Sequence, residues 1–222
     1  MDEEEQISAR AFEHLTKLFR EHSGIHLPAE KKALVAARLR KRVNALGVSG
    51  FDEYCQYLTR RDNGEELRRF VDLLTTNETY FFREPQHFAE LAKQIGTRFA
   101  RRSFRVWSAA CSSGEEPYSI AMTLLDRRPA GDWELYASDL STRVLECAQL
   151  GVFPMQRLEL LPAGYLQRFC LRGKGEYTGK MRVGEDVRKR VQFFQHNLLD
   201  DSRAHGIFDV IFLRNVLIYF EL

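Results

Sequence analysis

In the second half of the chain, short apolar runs alternate with segments of helical periodicity. The segment Phe104–Ala110 is one such run, which is typical of a buried strand. A turn of small residues follows it, and Pro117 suits the first position of a helix. Further strands are predicted at Trp133–Ser138, Val191–Gln195 and Phe208–Leu213. This alternation predicts an α/β domain with a mostly parallel sheet covered on both faces.

The first third of the chain has a different pattern. Residues 7 to about 74 carry apolar positions at helical spacing, which predicts a small helical domain. The long connection between the second and third strands is rich in glycine and basic residues at Arg168–Arg190, which we interpret as a small antiparallel insertion. We therefore predict a helical domain, a linker and an α/β domain over residues 1–72, 73–84 and 85–222.

The composition excludes several classes of protein. The net charge is +2, so the overall charge does not indicate a nucleic-acid binder. No apolar run is long enough to span a bilayer, and the acidic N-terminus has no signal-peptide core. The four cysteines form no C-x-x-C pair and the six histidines are scattered, so we predict free thiols and no metal site. We expect a cytoplasmic protein.

The turn after the first predicted strand is suited to a ligand. Its residues Cys111–Gly114 are small enough for the backbone to approach a bound molecule closely. Glu115 and Glu116 follow in the first helical turn, where they would repel a pyrophosphate and favour a ligand with an ammonium group. The segment by itself is equally consistent with a tight turn followed by helix-capping acids.

Polar residues also follow the other predicted strands. Asp139 ends the second strand, where an acid commonly binds a ribose hydroxyl pair or caps the next helix. Asn197 and Leu198 follow the third strand, and Arg214 and Asn215 follow the fourth. Asparagine after a strand is usually a turn former. Because parallel strands end at one edge of a sheet, the set together predicts a nucleoside site there.

The segment Leu73–Glu84 precedes the predicted sheet. It is too polar for a core helix and too aromatic for a free linker. Its adjacent phenylalanines are explained by packing at a hinge between domains. That explanation leaves Asn77, Thr79 and Arg83 without a role.

Taken together, these segments resemble the CheR family of bacterial chemotaxis receptor methyltransferases, which are protein-glutamate O-methyltransferases. The similarity covers essentially the whole chain, and its blocks follow the family's order. The resemblance implies a Rossmann-like class I methyltransferase domain behind a small helical domain, with a β-subdomain at the insertion. The matching blocks are Thr76–Glu84, Arg105–Ser119, Ala137–Asp139, Asn197–Leu199 and Phe208–Phe220.

The resemblance implies S-adenosylmethionine as the cofactor and S-adenosylhomocysteine as the product. Glu116, with or without Glu115, would meet the methionine end, and Asp139 would hold the ribose hydroxyls. The pair at 197–198 would border the adenine, and the pair at 214–215 would close the site beneath the sulfonium. The implied cofactor set is Asn77, Thr79, Arg83, Ala109, Glu116, Asp139, Asn197, Leu198, Arg214 and Asn215.

The resemblance also implies the reaction. Arg83 and Tyr219 would face a substrate glutamate as the catalytic residues. A glutamate carboxylate, with an ordinary pKa of about 4.3, is ionised at neutral pH and can attack a methyl group without a general base or metal. Two alternatives remain open. One is a methyltransferase acting on a small molecule or nucleic acid, and the other is a cofactor-binding module without turnover.

The second predicted helix offers a partner surface. One side of this helix carries four basic residues, Lys31, Arg38, Lys41 and Arg42. Such a charge run is often only a solvated face, but the resemblance implies a receptor substrate that is an acidic helical bundle. By the same resemblance, the insertion at 168–190 corresponds to a subdomain that grips a receptor tether peptide in some members. We expect a monomer with no nucleic-acid partner and no membrane insertion.

The end of the sequence differs from the family pattern. Family members continue past the position of Tyr219 with helices and strands that finish the sheet, whereas this sequence ends at Leu222. We therefore expect a sheet whose C-terminal strands are missing and whose edge is exposed. The alternative that the protein is a cofactor-binding module without turnover follows from this shorter C-terminus.

Overall fold

The computed structural model describes residues 6–60, 64–100 and 102–220. The acidic start of the chain, in which the sequence predicts no signal peptide, lies outside these ranges at residues 1–5. The chain divides into two compact units, a helical unit of Met1–Thr76 with Asn215–Leu222 and an α/β unit of Asn77–Arg214. The domain limits predicted from the sequence stay a prediction.

The helical unit is built from amphipathic helices. Ser8 caps the first of them by accepting a hydrogen bond from the Ala11 N–H at 3.0 Å. Gly24 and Gly47 end the first two helices in the left-handed conformation, at φ 74° and 68°. The helices are α1 (Ala9–Ser23), α2 (Lys32–Leu46), α3 (Phe51–Arg60) and α4 (Glu65–Leu74), with 3₁₀ turns at Ala29–Lys31 and Leu217–Tyr219.

Aromatic rings fill the core of the helical unit. Phe19 and Phe70 meet edge to face at 6.2 Å between ring centroids, and Tyr54 contacts Phe70 at 6.4 Å. All three side chains are fully buried. The helical spacing of the apolar residues allowed this unit to be predicted from the sequence. Its prediction as a helical domain is confirmed.

The α/β unit contains a four-stranded parallel sheet and a three-stranded antiparallel sheet. The parallel sheet has the order β6-β2-β1-β7, and the antiparallel sheet has the order β3-β5-β4. The strands are β1 (Phe104–Ala109), β2 (Trp133–Asp139), β3 (Val152–Pro154), β4 (Cys170–Arg172), β5 (Lys180–Val183), β6 (Val191–Gln195) and β7 (Val210–Leu213). The helices are α5 (Gln86–Gly96), α6 (Glu115–Arg127), α7 (Thr142–Leu150), α8 (Tyr165–Phe169) and α9 (Glu185–Arg188).

The antiparallel sheet is larger than the insertion predicted at 168–190. It also includes β3, in which Val152 pairs with Arg182 and Pro154 with Lys180. The sequence pattern did not show this strand, because β3 has only three residues, too few to alternate, and follows α7 directly. Helix α5 was not predicted from the sequence either.

Helix α6 begins two residues earlier than predicted. Glu115 is its first residue, so Pro117 occupies the third position rather than the first. Proline is tolerated there because the first N–H groups of a helix have no partner within the helix. Gly114 precedes the helix at φ 102°, and a Cβ on it would lie 2.8 Å from the Cβ of Ala148. Both the conformation and the close approach therefore require glycine.

The parallel sheet is buried at its centre and open at β7. Val106 and Leu135, in the two central strands, are fully buried, and Phe99 stacks on Phe104 at 4.6 Å. Among the described residues β7 is an edge strand, and Ile211 in it is 53% exposed. Over the same residues, no helix combines the length and apolarity needed to cross a membrane.

Candidate functional site

Asp139 joins the carboxyl ends of the two central strands. Its Oδ2 accepts a hydrogen bond from the Ser112 N–H at 2.8 Å, and its Oδ1 accepts one from the Ser141 N–H at 3.0 Å. Ser141, not Asp139, caps α7 by accepting from the Val144 N–H at 3.3 Å. The capping alternative for Asp139 is therefore wrong. Each carboxylate oxygen can accept more than one hydrogen bond, so capacity remains for a ligand.

Glu116 projects from the first turn of α6 towards the end of β7. Its Oε1 accepts a hydrogen bond from the Ser108 Oγ at 2.7 Å. Its Oε2 accepts one from the Arg214 Nη1 at 3.1 Å. Burial raises the pKa of the Glu116 carboxyl, although Ser108 and Arg214 both act to lower it. A cation placed beside this carboxylate would favour its ionised form.

Glu115 has a different environment from its neighbour. Its side chain is fully buried, forms an ion pair with Arg157 and accepts a hydrogen bond from the Ser113 Oγ at 2.6 Å. Arg157 also donates from Nη1 to the Thr79 carbonyl at 3.2 Å. Glu115 therefore fixes the turn and the linker in place, and the acid expected to meet a ligand is Glu116.

The segment 77–84 lies along the turn Ala110–Gly114 between β1 and α6, which we call the cofactor turn. The carbonyl of Asn77 accepts from the Ser112 Oγ at 2.9 Å. The Phe82 N–H donates to the Ser119 Oγ on α6 at 3.0 Å. The Arg83 carbonyl accepts from the Arg214 guanidinium. These backbone contacts hold the predicted linker residues against the same strand ends as Asp139 and Glu116.

Backbone strain is concentrated in these two segments. Within the α/β unit, Phe82, Glu84, Ala110 and Ser112 have φ values of 55°, 56°, 61° and 51°. A left-handed conformation is uncommon for residues other than glycine and persists only where the surrounding structure enforces it. All four lie in the linker or the cofactor turn. Such clustering is typical of a functional site.

The Arg83 side chain is half-buried and weakly held. Its Nη1 donates to the Glu78 carbonyl at 3.2 Å, and its guanidinium lies 5.7 Å from the centroid of the Tyr80 ring. Within the described part of the chain, no carboxylate pairs with it. Its planar fork therefore remains able to bind a carboxylate from outside the protein.

The remaining predicted residues have less specific surroundings. The Asn197 side chain accepts from the Leu199 N–H at 3.1 Å, so it forms a turn, as asparagine after a strand usually does. The neighbouring His196 N–H donates to the Asp139 carbonyl at 3.1 Å, which places residues 197 and 198 next to Asp139. Ala109 ends β1 in register with Ser138 and Leu213.

Two predicted residues belong to the helical unit. Asn215 has a φ of 55° there. The carbonyl of Tyr219 accepts from the His26 N–H at 3.0 Å, and Ile25 forms an isolated bridge with Phe220. These contacts hold the C-terminal segment to the end of α1. The functional roles of both residues remain predictions.

The donors and acceptors of the strand edge fit a nucleoside cofactor with a cationic end. Asp139 can accept from hydroxyl groups, and Glu116 is a buried acid. The Arg214 side chain is 11% exposed. Its Nε is buried and has no hydrogen-bond partner among the described residues. An acceptor from a bound molecule would satisfy it.

Fold and site together define an S-adenosylmethionine-binding methyltransferase domain that follows a helical domain in the sequence. Comparison with family models assigns residues 77–222 to "CheR methyltransferase, SAM binding domain" and residues 10–75 to "CheR methyltransferase, all-alpha domain". The chain belongs to the CheR methyltransferase family. The resemblance inferred from the sequence blocks is thereby confirmed, as is the cofactor.

Individual relatives support the same assignment. The chain is 47% identical to chemotaxis protein methyltransferase 2 of Pseudomonas aeruginosa over 203 residues, which is 90% of this chain and 72% of that protein. It is 41% identical to the chemotaxis protein methyltransferase of Salmonella typhimurium, over 97% of this chain and 75% of that protein. The corresponding Escherichia coli protein is also 41% identical, over 100% of this chain and 78% of its own length.

The basic side of α2 is less open than its sequence suggests. Arg42 forms an ion pair with the buried Glu66, which also accepts from the Tyr54 hydroxyl at 2.8 Å. Arg38 donates to the Leu74 carbonyl at 2.6 Å. Both arginines therefore have partners within the helical unit, which the sequence pattern did not reveal. The lysines of the set, at 31 and 41, are exposed. The partner surface itself stays a prediction.

Glu116 is expected to make cofactor binding pH-dependent. Burial raises the pKa of its carboxyl in the free protein, and a bound cation would lower that pKa again. The affinity for S-adenosylmethionine should then fall as the pH drops through the raised pKa, and level off above it. Calorimetric titration from about pH 5 to about pH 8 measures this. Glu116→Gln should bind more weakly and without this dependence. An equally steep pH dependence in the variant would mean that another group is responsible.

Sequence reasoning missed the residues that support the site. Ser108 lies inside a buried strand, and Arg157 lies in the 3₁₀ turn Met155–Leu158 without a motif around it. Nothing in the sequence links Arg157 to Glu115, which is 42 residues away. The one available signal was the position of Glu115 next to a turn of small residues, where burial is expected. A buried carboxylate needs a cationic partner.

Proposed function

We propose that this methyltransferase transfers the methyl group of S-adenosylmethionine to glutamate side chains of a chemoreceptor-type protein. The family assignment establishes the methyltransferase class and the cofactor. The observation that supports a carboxylate acceptor is the half-buried Arg83, which lies in the linker beside the cofactor turn and has no carboxylate partner among the described residues. A guanidinium in that position is suited to orient an anionic substrate.

The cofactor would be held by residues at the carboxyl edge of the parallel sheet. Asp139 would accept hydrogen bonds from the ribose, and Glu116 would meet the cationic amino acid end. The pair at 197–198 would border the adenine, and Arg214 would lie by the sulfonium. S-adenosylmethionine supplies an activated methyl group that a carboxylate can accept. We extend the same assignment to Asn77, Thr79, Ala109 and Asn215 because of the family resemblance.

The protein's part in the reaction is to orient the substrate and exclude water. A glutamate is ionised at neutral pH, so the residues need not remove a proton from it. Arg83 would bind the carboxylate through its fork, and Tyr219 would donate its hydroxyl to one carboxylate oxygen. Good orientation of two reactants is worth about 7 to 11 kcal/mol. Neither residue needs to form a covalent intermediate.

The proposed partner is the cytoplasmic helical bundle of a chemoreceptor. The exposed Lys31, in the 3₁₀ turn before α2, and Lys41, in α2, provide positive charge for an acidic bundle. The antiparallel sheet β3-β5-β4 is the proposed place for a receptor tether peptide, because β4 is an edge strand among the described residues and carries the exposed Leu171. We further propose that the protein acts as a monomer in the cytoplasm.

Reversing the charge of the two exposed lysines tests the partner surface. Lys31→Glu with Lys41→Glu should lower the rate of receptor methylation by about tenfold at low salt, since electrostatic steering mainly affects association. Cofactor affinity should not change. Lys17→Glu, an exposed lysine on α1, is the matched control and should have no effect. An unchanged methylation rate in the double variant would remove this surface from the proposal. Arg42→Glu is unsuitable because it would leave the buried Glu66 unpaired.

The acceptor class is tested with a receptor fragment and its variants. The protein, labelled S-adenosylmethionine and a cytoplasmic receptor fragment should give labelled receptor. A fragment whose exposed glutamates on the acidic helices are replaced by alanine should not be labelled. Equal labelling of both fragments, or preferential labelling of nucleic acid or small molecules, would contradict the proposal. Binding of the cofactor without labelling of any acceptor would favour the module without turnover.

A further inference from the structure

Arg214 is shared between two carboxylates. Its Nη1 lies 3.1 Å from the Glu116 Oε2, and its Nη2 lies 3.3 Å from the Glu84 Oε2. The same Nη2 donates to the Arg83 carbonyl, and the guanidinium lies 5.5 Å from the centroid of the Phe88 ring. The guanidinium is thus fixed from several sides, in a place where little water can screen its charge.

Glu84 is held in an unfavourable conformation to make this contact. Its φ is 56°, a left-handed value that side-chain-bearing residues rarely adopt. It follows Arg83 in the strained linker, and its carboxylate also lies 3.4 Å from the Nδ1 of the exposed His87. A strained backbone that directs a carboxylate at a buried guanidinium indicates a position under functional constraint.

The charges around Arg214 matter because the substrate and product forms of the cofactor differ in charge. S-adenosylmethionine carries a sulfonium cation, whereas S-adenosylhomocysteine lacks the transferred methyl group and carries a neutral thioether. An unneutralised guanidinium near the sulfonium would repel S-adenosylmethionine. It would have little electrostatic effect on S-adenosylhomocysteine. With two carboxylates and one guanidinium, the group has a net charge of −1 when both acids are ionised. At a pH where Glu116 is ionised, removing the Glu84 carboxylate makes the group more positive by one charge.

We propose that Glu84 is a positioning residue that adds a second negative charge beside Arg214 and thereby sets the preference of the site for the cationic cofactor over its neutral product. The inference rests on the proposed function, because it requires Arg214 to lie by the sulfonium. It assigns Glu84 a role in specificity rather than in contact with the reacting atoms. The same preference governs how strongly the accumulated product inhibits the enzyme.

The test compares the affinities for the two forms of the cofactor. Calorimetry gives the dissociation constants of S-adenosylmethionine and S-adenosylhomocysteine for the unaltered protein and for Glu84→Gln. The ratio of the two constants should shift against S-adenosylmethionine by roughly tenfold in the variant, the effect of one charge at a partly buried site. An analogue with an ammonium group in place of the sulfonium should weaken in parallel with S-adenosylmethionine.

Two further variants separate charge from structure. Glu84→Asp keeps the carboxylate and should retain most of the original ratio. Glu90→Gln removes an exposed acid of α5 that pairs with Lys93 at 3.8 Å, and should leave the ratio unchanged. Thermal unfolding confirms that each variant is folded. If Glu84→Gln fails to fold, Glu84→Asp is compared with the neutral variant Glu84→Ser instead. If these two variants change the ratio of dissociation constants equally, the charge of Glu84 does not matter and the inference is overturned.

The possible failures are distinguishable. Equal weakening of both ligands by Glu84→Gln would show that the residue only maintains the shape of the site, and would overturn the inference about Glu84 alone. Failure of the unaltered protein to bind either ligand would overturn the proposed function as well. A shifted ratio with preserved S-adenosylhomocysteine binding supports the inference about Glu84 and the placement of Arg214 by the sulfonium.

Discussion

Replacing Arg83 by alanine should lower the turnover of receptor methylation by about 10²- to 10³-fold, the usual cost of losing one oriented electrostatic contact to a reacting group. Cofactor binding should remain measurable, because the Arg83 carbonyl, not its side chain, contacts Arg214. Initial rates at saturating cofactor and calorimetric titration of S-adenosylmethionine separate the two effects. Arg83→Lys should recover only part of the rate, since it keeps the charge without the planar fork.

The control for this experiment is another arginine of the α/β unit. Arg127→Ala removes an exposed side chain that pairs with Asp126 at 3.5 Å, and should leave both rate and affinity unchanged. If Arg83→Ala instead abolished cofactor binding and showed no separate defect in turnover, its assignment to the substrate carboxylate would be wrong.

Replacing Asp139 by alanine should weaken cofactor binding by about 100-fold or more. The variant loses the ribose acceptor and also leaves the N–H groups of Ser112 and Ser141 without their acceptor, at about 1 to 3 kcal/mol each. The KM for S-adenosylmethionine should rise, and kcat at saturation should change much less. Asp139→Asn keeps one acceptor oxygen and should be intermediate. Calorimetry and steady-state kinetics measure these effects.

A purely structural role for Asp139 gives a different result. In that case Asp139→Ala would lower the free energy of unfolding but leave the affinity of the remaining folded protein unchanged. Denaturant unfolding, measured with and without cofactor, distinguishes the two. A stability loss without an affinity loss would contradict the ribose assignment.

Much of the fold could be predicted because its elements depend on local patterns of burial. Strand β6 occurs at the predicted residues, since it has a clear apolar pattern and a turn at either end. Strand β3 could not be predicted. It has three residues, and it is a strand only because Lys180–Val183 pairs with it.

The sequence could propose site residues that follow strands, but not residues that depend on distant partners. Asp139 was proposed because parallel strands place their ends at one edge. The role of Arg157 depends on Glu115, and the engagement of Arg42 depends on Glu66 in another helix. A charged residue shows no sign in its own sequence neighbourhood that a partner will come from another element.

The most direct test of carboxylate methylation is the chemical stability of the transferred methyl group. The protein is incubated with methyl-labelled S-adenosylmethionine and membranes that carry chemoreceptors, and the labelled receptor is then exposed to mild base. A methyl ester of glutamate is hydrolysed under these conditions, so the label should be released as methanol. Label that stays on the receptor, or that appears on another class of molecule, would contradict the proposal.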